Sequence, residues 1–406
     1  MSDPAAEEPA QPFANFQYEI YGNGLTGERP RMPVAVGALE QAAREQMTPE
    51  AFGYVAGGAG SEATMAANLE AFRHWQIVPR MLRDVSVREL RTRILATELA
   101  APVLLAPVGV QSIVHPEAEL AVTRAAAAQG IAAILSTAAS NTIEDVAAAA
   151  GSSPRWYQLY WPRERELAQS FVARAGAAGY EAIVVTLDTW ILGWRPRDLQ
   201  NAYLPFLKGE GVANYFSDPV FRAALPGPIE ENLEAAIAHW TYQFSNPSVT
   251  WEDLAWLREQ TDLPIVLKGI LHAEDAERAV QTGVDGVIVS NHGGRQVDGS
   301  IGALDALQWV REAVGAGFPV LFDSGIRTGS DILKALALGA DAVCLGRPYV
   351  WGLGLDGQAG VEHVLRCLLA DLELNLALSG ARKISELDGS LLVRAPGAGM
   401  PPIIST

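Results

Sequence analysis

The sequence predicts an α/β protein folded as a closed (β/α)8 barrel, the TIM-barrel architecture. Eight short apolar segments recur along the chain, and stretches with a helical pattern separate them. Several of these helical stretches end in a glycine at the position that commonly closes a helix. No glycine-rich nucleotide-binding motif follows the first apolar segment, so a doubly wound open sheet is the less favoured alternative.

The eight apolar segments are rich in β-branched residues, as buried parallel strands usually are. The predicted strands are residues 103–106, 132–135, 156–160, 183–187, 265–267, 286–289, 320–322 and 342–345. The predicted helices between them are residues 116–129, 142–150, 164–178, 273–281, 304–314 and 329–338.

Length and hydrophobic content agree with one large domain. The chain has 406 residues, of which 49% are hydrophobic and 19% charged, and one barrel with insertions accounts for that length. We expect a mobile arm with a glycine-rich turn at residues 21–24 within residues 1–30, the barrel domain at residues 31–394 and a loose tail at residues 395–406. Two amino-terminal helices are expected to open the barrel domain, over residues 36–47 and 48–57.

The connection after the fourth predicted strand is unusually long. It covers about residues 198–250, which is far more chain than one crossover helix needs. Because connections that follow barrel strands lie on the face where active sites form, this insertion is a candidate lid. A contact between subunits explains the insertion equally well, and the two roles are compatible.

Charge and cysteine content restrict the partners. The formal net charge is −17, which argues against binding to nucleic acid or anionic membranes, since both require basic surfaces. No stretch fits a secretory signal peptide or a membrane span, and two cysteines form no disulfide or zinc framework. We therefore expect a cytoplasmic protein that binds anionic ligands through locally placed cations.

The densest polar cluster runs from Ser290 to Arg295 and follows the sixth predicted strand. So many polar groups cannot be buried without a ligand or water to satisfy them. His292 can accept a proton near neutral pH, and Arg295 can bind a carboxylate or a phosphate. A base and a cation on one turn suggest chemistry on an acid.

Residues able to contact a ligand also follow the other seven strands. In strand order they are Pro107, Val108 and Gly109; Ser136; Gln158 and Tyr160; Thr186, Asp188 and, further on, Arg195; Lys268; Asp323, Ser324, Gly325, Ile326 and Arg327; and Gly346 with Arg347. Because the carboxyl ends of barrel strands meet at one mouth, these residues predict a single site there.

The clusters after the seventh and eighth strands suggest a phosphate site. Gly325 and Gly346 expose backbone N–H groups, and Arg327 and Arg347 add positive charge. A buried lysine without a partner is costly, so Lys268 is expected to oppose negative charge on the same ligand. No metal site is predicted, because the sequence shows no metal-ligand spacing around the candidate residues.

These motifs resemble those of the FMN-dependent 2-hydroxy-acid oxidases and dehydrogenases. The resemblance runs from about residue 54 to residue 347 and keeps the order and spacing of the family's motifs. They are residues 54–58, 158–160, 186–189, 267–269, 290–296, 323–327 and 346–348. Within this family the chain is most similar to the lactate 2-monooxygenases, on residues 18–22, 188–190 and 193–198 and on the long insertion.

The resemblance implies roles for the candidate substrate residues. His292 is expected to act as the general base, and Asp188 to pair with the imidazolium that forms. The expected substrate contacts are Tyr54, Tyr160, Arg195, Arg295 and Tyr203 of the insertion. Position alone favours a packing role for Tyr54, which ends a predicted helix, but the resemblance places it in the site.

FMN is the cofactor that the resemblance implies. Lys268 is expected beside the N1/O2 edge of the flavin, and Arg327 and Arg347 at its phosphate. The remaining expected FMN contacts are Pro107, Val108, Gly109, Ser136, Gln158, Thr186, Ser290, Asp323, Ser324, Gly325, Ile326 and Gly346.

The resemblance thus implies oxidation of a small L-2-hydroxy acid, above all L-lactate, with O2 as acceptor and oxidative decarboxylation to acetate, CO2 and water. The alternatives are an oxidase that releases the 2-keto acid and H2O2, and an FMN dehydrogenase with another acceptor. A non-enzymatic FMN-binding sensor is disfavoured by the complete set of candidate catalytic residues. We expect a homo-oligomer, either a tetramer or an octamer.

Two positions depart from other members of the family. Glycolate oxidases carry a bulky aromatic residue at the position of Ala138, and many oxidases carry alanine at the position of Gly109. The substrate and the fate of the product therefore cannot be transferred from those enzymes to this chain.

Overall fold

Eight parallel strands form a closed barrel in this computed structural model, which describes residues 12–244 and 246–398. Each strand pairs with the next one along the chain, and the eighth pairs with the first, with Val343 opposite Val103. The strands are Val103–Leu105, Ala132–Ser136, Arg155–Leu159, Ile183–Thr186, Ile265–Ile270, Gly286–Val289, Val320–Phe322 and Ala342–Leu345. The predicted barrel is confirmed, and the open sheet is excluded.

Helices cover the outside of the barrel. After the successive strands they are Ala118–Ala128, Ile143–Ala150, Arg165–Ala177, Asp253–Glu259, Ala273–Gln281, Ala303–Val314, Gly329–Ala337 and Arg347–Leu378. Thr142 and Thr328 cap two of them, since each side chain accepts a hydrogen bond from a backbone N–H in the first helical turn. The last helix is broken at Asp356 and Gly357, whose backbone angles are not helical.

Packing closes the amino-terminal end of the barrel. Side chains such as Leu104, Trp156 and Ile288 are buried inside it. A hairpin of strands Thr92–Ile94 and Thr97–Leu99 lies beneath them, and Trp156 Nε1 donates to Thr97 Oγ1 at 2.8 Å. The interior of the barrel is therefore packed with side chains at its amino-terminal end.

Between residue 12 and the first barrel strand, the structure has four helices, Asn15–Gly24, Val36–Gln46, Pro49–Ala56 and Ala63–Arg73. The first corrects the glycine-rich turn predicted within the arm, because residues 21–24 are its last turn. Arg366 lies 3.9 Å from the centre of the Phe16 ring, and Ala14 N donates to Glu373 Oε2 at 2.8 Å. These contacts with the last barrel helix outweigh the low helix propensity of glycine.

The ends of the chain are described in part. Leu392–Arg394 forms a strand antiparallel to Trp75–Ile77. Within the expected tail, Ala395 N donates to the carbonyl of His74. Residues 1–11 of the expected arm and residues 399–406 of the expected tail lie outside the described residues. In the described part of the chain, no helix has the length and apolar character needed to cross a membrane.

The insertion after the fourth strand folds over the mouth of the barrel. Its helical segments are Pro196–Gln200, Pro205–Lys208, Ala213–Phe216, Pro219–Ala223 and Leu233–Phe244. Asn214 is fully buried and donates to the carbonyls of Ser136 and Thr137, both at 3.2 Å. The middle of the insertion is therefore fastened to the end of the second strand.

Candidate active site

A deep cavity opens at the carboxyl end of the strands, where the sequence predicts the site. The predicted residues that line it are Tyr54, Pro107, Val108, Gly109, Tyr160, Arg195, Lys268, His292, Arg295, Asp323, Ser324, Gly325, Ile326, Arg327, Gly346 and Arg347. Asp188 and Ser290 stand behind this lining, bonded to His292 and Lys268 respectively. Residues far apart in sequence thus meet at one mouth, as the barrel topology requires.

His292 and Asp188 form the central pair of the site. His292 Nδ1 lies 2.7 Å from Asp188 Oδ1. The neutral imidazole therefore carries its hydrogen on Nδ1 and leaves the lone pair on Nε2 free to accept a proton. Thr189, which also lines the cavity, places its hydroxyl 3.0 Å from His292 Nδ1 and 3.0 Å from Asp188 Oδ1.

Burial and charge set the protonation states of this pair. Burial lowers the pKa of His292 from its usual 6.5 and outweighs the opposing effect of Asp188. Burial disfavours the charged form of Asp188, but Lys268 and His292 together hold its pKa below the ordinary value. At neutral pH the site therefore presents a neutral base beside a carboxylate.

Two arginines stand beside His292. Burial, followed by repulsion from Arg295, lowers the pKa of Arg195 to about 10, so Arg195 stays cationic at neutral pH. Arg195 donates to the backbone carbonyl of Arg295 at 3.0 Å and to Gln296 Oε1 at 2.7 Å. Arg295 donates to the backbone carbonyls of Tyr54 and Gly57 and lies 5.0 Å from the centre of the Tyr54 ring.

Neither arginine forms an ion pair with a carboxylate among the described residues, although Arg195 is only 6% exposed. Burying a cation without a counter-charge is costly. The two guanidinium groups therefore suit an anion that enters the cavity, and a carboxylate matches their planar donors.

Aromatic side chains of the insertion complete the wall near the two tyrosines. Phe206, Trp240 and Phe244 line the cavity, and the Phe206 ring stacks on Trp240 with 4.9 Å between ring centres. Tyr160 packs edge-on against Phe244 at 5.0 Å, and Tyr54 packs against Phe206 at 6.4 Å. Burial raises the pKa of Tyr160 to about 12, so its hydroxyl remains a hydrogen-bond donor at neutral pH.

Lys268 lies at the bottom of the cavity between two carboxylates. Its Nζ is 3.4 Å from Asp323 Oδ2, 3.9 Å from Asp188 Oδ2 and 2.9 Å from Ser290 Oγ. Burial alone lowers the pKa of Lys268, but Asp323 and Asp188 outweigh it and raise the pKa above its ordinary value. Lys268 is therefore a fixed positive charge that can face a ligand.

Arg327 and Arg347 form a second cationic region, on the seventh and eighth strands. Burial lowers the pKa of both, and neither forms an ion pair within the described residues. Arg347 donates to the carbonyls of Val55, Gly57 and Gly293, at 3.1, 2.9 and 2.9 Å. A Cβ at Gly293, where φ is +64°, would lie 2.7 Å from Arg347 Nη1, so only glycine allows this approach.

Within the described residues, the guanidinium of Arg327 makes fewer hydrogen bonds than that of Arg347. Its described hydrogen bond goes to the carbonyl of Ile326, and its guanidinium lies 5.3 Å from the centre of the Trp351 ring. The helix Gly329–Ala337 begins two residues later. Arg327 therefore provides a cation that a phosphate group can bind. The backbone N–H groups of Thr328, Gly329 and Asp331 at the helix start already donate to side chains of the protein.

Three predicted FMN contacts, Ser136, Gln158 and Thr186, are buried polar residues at the ends of the second, third and fourth strands. Gln158 Nε2 and Thr186 Oγ1 are buried and have no hydrogen-bond partner in the described part of the chain. Buried polar groups are rarely left unpaired. Gln158 Oε1 accepts from Ser136 Oγ at 3.0 Å, which fixes the amide. The unpaired polar atoms of Gln158 and Thr186, Lys268 in the cavity and the cations Arg327 and Arg347 fit FMN. Ser136, Gln158 and Thr186 do not themselves line the cavity, so their predicted FMN contacts stay predictions.

Some predicted and observed contacts differ. Tyr203 does not line the cavity, and its ring lies 5.3 Å from Lys208 Nζ. The predicted substrate contact of Tyr203 thus stays a prediction, and Phe206 of the same insertion occupies the wall. The sequence analysis missed Thr189 and Gln296, although both belong to motifs that it singled out.

No group of His, Cys, Asp and Glu side chains suited to a metal ion occurs within residues 12–244 and 246–398.

Comparisons with known proteins agree with this geometry. A family model described as FMN-dependent dehydrogenase matches residues 43–394. An FMN-dependent alpha-hydroxy acid dehydrogenase of Penicillium citrinum is 44% identical over 390 residues, 95% of this chain and 97% of the relative. An L-lactate oxidase of Lysinibacillus sphaericus is 45% identical over 373 residues, 92% of this chain and 96% of the relative.

Solved structures show the same fold. The crystal structure of a mandelate oxidase, 39% identical, covers 90% of this chain and 99% of its own with a TM-score of 0.79. The structure of a mutant of an active chimera of (S)-mandelate dehydrogenase is 37% identical, and the match covers 89% of this chain and 99% of that chain with a TM-score of 0.81. With its eight-stranded barrel, its candidate FMN site and these matches along most of its length, the chain belongs to the FMN-dependent dehydrogenase family.

Proposed function

We propose that this FMN-dependent 2-hydroxy-acid-oxidising enzyme acts on L-lactate, uses O2 as its acceptor and releases acetate, CO2 and water. One observation carries the proposal: His292, paired with Asp188, shares a cavity with Arg195 and Arg295, which form no ion pair with a carboxylate among the described residues. Oxidation of a 2-hydroxy acid requires a base beside a group that binds the substrate carboxylate, and these residues provide both.

Arg195 and Arg295 would hold the substrate carboxylate. The hydrogen bonds to Gln296 and to the carbonyls of Tyr54 and Gly57 fix the two guanidinium groups before substrate arrives. Less conformational freedom is then lost on binding, and the substrate is oriented toward the base. The hydroxyls of Tyr54 and Tyr160 would orient the carboxylate and the substrate hydroxyl.

His292 Nε2 would take the proton that leaves the substrate. Asp188 would stabilise the resulting imidazolium through the 2.7 Å contact at Nδ1. When bound, FMN would supply the two-electron chemistry by which the substrate's electron pair reaches O2, with H2O2 as the reduced product. Lys268 would oppose the negative charge that gathers at the cofactor edge.

Decarboxylation follows if the 2-keto acid stays in the cavity with the peroxide. Pyruvate and H2O2 give acetate, CO2 and water, so one lactate and one O2 are consumed overall. The aromatic wall of Phe206, Trp240 and Phe244 lies over the substrate region and would slow the escape of pyruvate. This wall supports the proposed lid role of the insertion.

An oxidase that releases pyruvate and H2O2 is the second candidate. The relatives described as L-lactate oxidases support it, since they are 45% and 43% identical to this chain. Measuring products after aerobic turnover of L-lactate without catalase separates the two. Acetate with little free peroxide supports decarboxylation, whereas equal amounts of pyruvate and peroxide establish the simple oxidase.

We also propose a cytoplasmic homo-oligomer, tetrameric or octameric. Ile191, Leu192 and Trp194 lie beside the cavity mouth and are largely exposed, which suits a contact between subunits. Analytical ultracentrifugation at micromolar concentration tests this, and a monomer at every concentration would contradict it.

A further inference from the structure

The turn that carries His292 has an unusual backbone. His292 and the following Gly293 and Gly294 have φ values of +58°, +64° and +75°. Ser324, at the end of the neighbouring strand, has φ +85°. A side chain in this left-handed region costs about 1–3 kcal/mol and persists only where surrounding contacts require it. Two such residues, His292 and Ser324, therefore lie at the ends of neighbouring strands.

Serine hydroxyls hold the turn in place. Ser324 Oγ accepts hydrogen bonds from Gly293 N at 3.0 Å and from Asn291 N at 3.4 Å. Ser290 Oγ accepts from His292 N at 3.0 Å. Three successive backbone N–H groups around the base are thus bound by two side chains.

The same hydroxyls connect the turn to Lys268. Ser324 Oγ donates to Asp323 Oδ1 at 2.7 Å, and Asp323 Oδ2 lies 3.4 Å from Lys268 Nζ. Lys268 Nζ also donates to Ser290 Oγ at 2.9 Å. A closed network therefore joins the lysine at the bottom of the cavity to both sides of the base.

Ser324 has no remaining hydrogen-bonding capacity. A serine hydroxyl has one hydrogen and two lone pairs. In Ser324 the hydrogen goes to Asp323, and the lone pairs go to the backbone of Asn291 and Gly293. The side chain is also only 8% exposed. It is therefore fully used within the protein, unlike Gln158 and Thr186, whose polar atoms remain available.

We propose that Ser324 is a positioning residue for the reaction: its hydroxyl holds the turn of His292 in the conformation that presents Nε2 to the substrate. Ser324 also lines the cavity, so the FMN contact expected from the sequence stays a prediction beside this role. The inference rests on the proposed role of His292 as the base.

The test compares Ser324→Ala with Ser324→Gly. Both remove the hydroxyl, but only glycine also relieves the left-handed backbone. Each variant is loaded with FMN and reduced anaerobically with saturating L-lactate in a stopped-flow instrument. We expect both to reduce the flavin about tenfold to a hundredfold more slowly than the wild type, because small displacements of a base have effects of this size. The Kd values for FMN and lactate should change less than about threefold.

Ser86→Ala is the matched control. The Ser86 hydroxyl also donates to an aspartate, Asp84 Oδ1 at 2.7 Å, but on an exposed loop. This variant should reduce its flavin at the wild-type rate. Circular dichroism melting identifies the variants that fold. If Ser324→Ala does not fold, Ser324→Gly still tests the inference, because glycine adopts the left-handed backbone without strain.

Two results overturn the inference. A wild-type reduction rate in Ser324→Gly would show that the hydroxyl is not needed. Weak FMN binding with a normal reduction rate at saturating FMN would make Ser324 a cofactor contact. Failure of the proposed function is distinct, because the wild-type flavin would then not be reduced by any 2-hydroxy acid.

Discussion

Asp188→Asn removes the negative charge that the site places beside His292. In the wild-type site, a carboxylate oxygen lies 2.7 Å from His292 Nδ1, and the two side chains are only 15% and 16% exposed. Proton abstraction from the substrate turns the imidazole into a cation. Asp188 is therefore most important in the transition state, so its loss should slow the chemical step more than it weakens substrate binding.

The distances indicate the size of the effect. At an effective dielectric constant of about 20, two unit charges about 3 Å apart attract by about 5 kcal/mol. Lys268 Nζ lies 3.9 Å from the other oxygen of Asp188 and reduces the benefit to His292. We therefore expect a net loss of about 3–4 kcal/mol, or about a hundredfold to a thousandfold in rate.

Asparagine has a second effect in the same direction. Its amide can donate to Nδ1, which leaves the hydrogen on Nε2 and removes the lone pair that should accept the substrate proton. Asp188→Glu is the comparison, because it keeps the charge while shifting its position. It should lose less activity than Asp188→Asn.

Anaerobic single-turnover reduction by saturating L-lactate measures the effect directly. The flavin spectrum before mixing confirms that each variant retains its cofactor. A reduction rate for Asp188→Asn within threefold of the wild type would refute the reasoning, since no role for the carboxylate charge would remain.

Four further predictions follow from the site. Arg327→Ala should raise the Kd for FMN about tenfold to a hundredfold, because it removes a charge-assisted phosphate contact, whereas Arg327→Lys should raise this Kd less. Fluorescence titration of the apoprotein with FMN measures both values, and an unchanged Kd in Arg327→Ala contradicts the assignment. Phe206→Ala should raise the KM for lactate and favour bulkier 2-hydroxy acids in a steady-state substrate panel; unchanged selectivity contradicts a wall role. Gly109→Ala places a methyl group 3.0 Å from the carbonyl oxygen and 3.1 Å from the Cβ of Ala138. This variant should shift the aerobic products of lactate from acetate toward pyruvate and peroxide, and an unchanged product ratio contradicts the prediction. Finally, kcat/KM should fall only as the pH drops below 6.5, because the pKa of His292 is lowered from 6.5 and the base stays neutral at higher pH. A fall in kcat/KM that begins above pH 7 contradicts this prediction.

The sequence predicted the barrel well, because its strands are marked locally. Each is a short apolar run with polar or glycine residues where it ends, and the observed strands Gly286–Val289 and Ala342–Leu345 match their predicted bounds. The cavity also followed, since parallel strands in a barrel bring their carboxyl ends together.

The sequence did not predict segments whose conformation depends on contacts with residues far away in the chain. Gly22 and Gly24 suggest a turn, yet packing of Phe16 against the last helix keeps this segment helical. The helix Ala63–Arg73 was not predicted, and Asn68 fastens it to Asn291 through two side-chain hydrogen bonds of 2.8 and 2.6 Å. No local pattern shows such bonds across more than 200 residues.

The roles of some site residues also depend on contacts between distant segments and could not be predicted from the sequence. His292, Asp188 and the arginines were identified because their residue types suggest chemistry at strand ends. The bonds made by Thr189 and Gln296, and the full use of the Ser324 hydroxyl, depend on which segments become neighbours. These contacts became visible only with the structure.

Anaerobic mixing of the wild-type enzyme and His292→Ala with L-lactate shows whether His292 is the base that removes the substrate proton. We expect rapid bleaching of the wild-type flavin and bleaching slowed by at least about a hundredfold in His292→Ala, with FMN retained in both. If His292→Ala bleaches at the wild-type rate, or if L-lactate does not reduce the wild-type flavin, His292 is not the base for lactate oxidation.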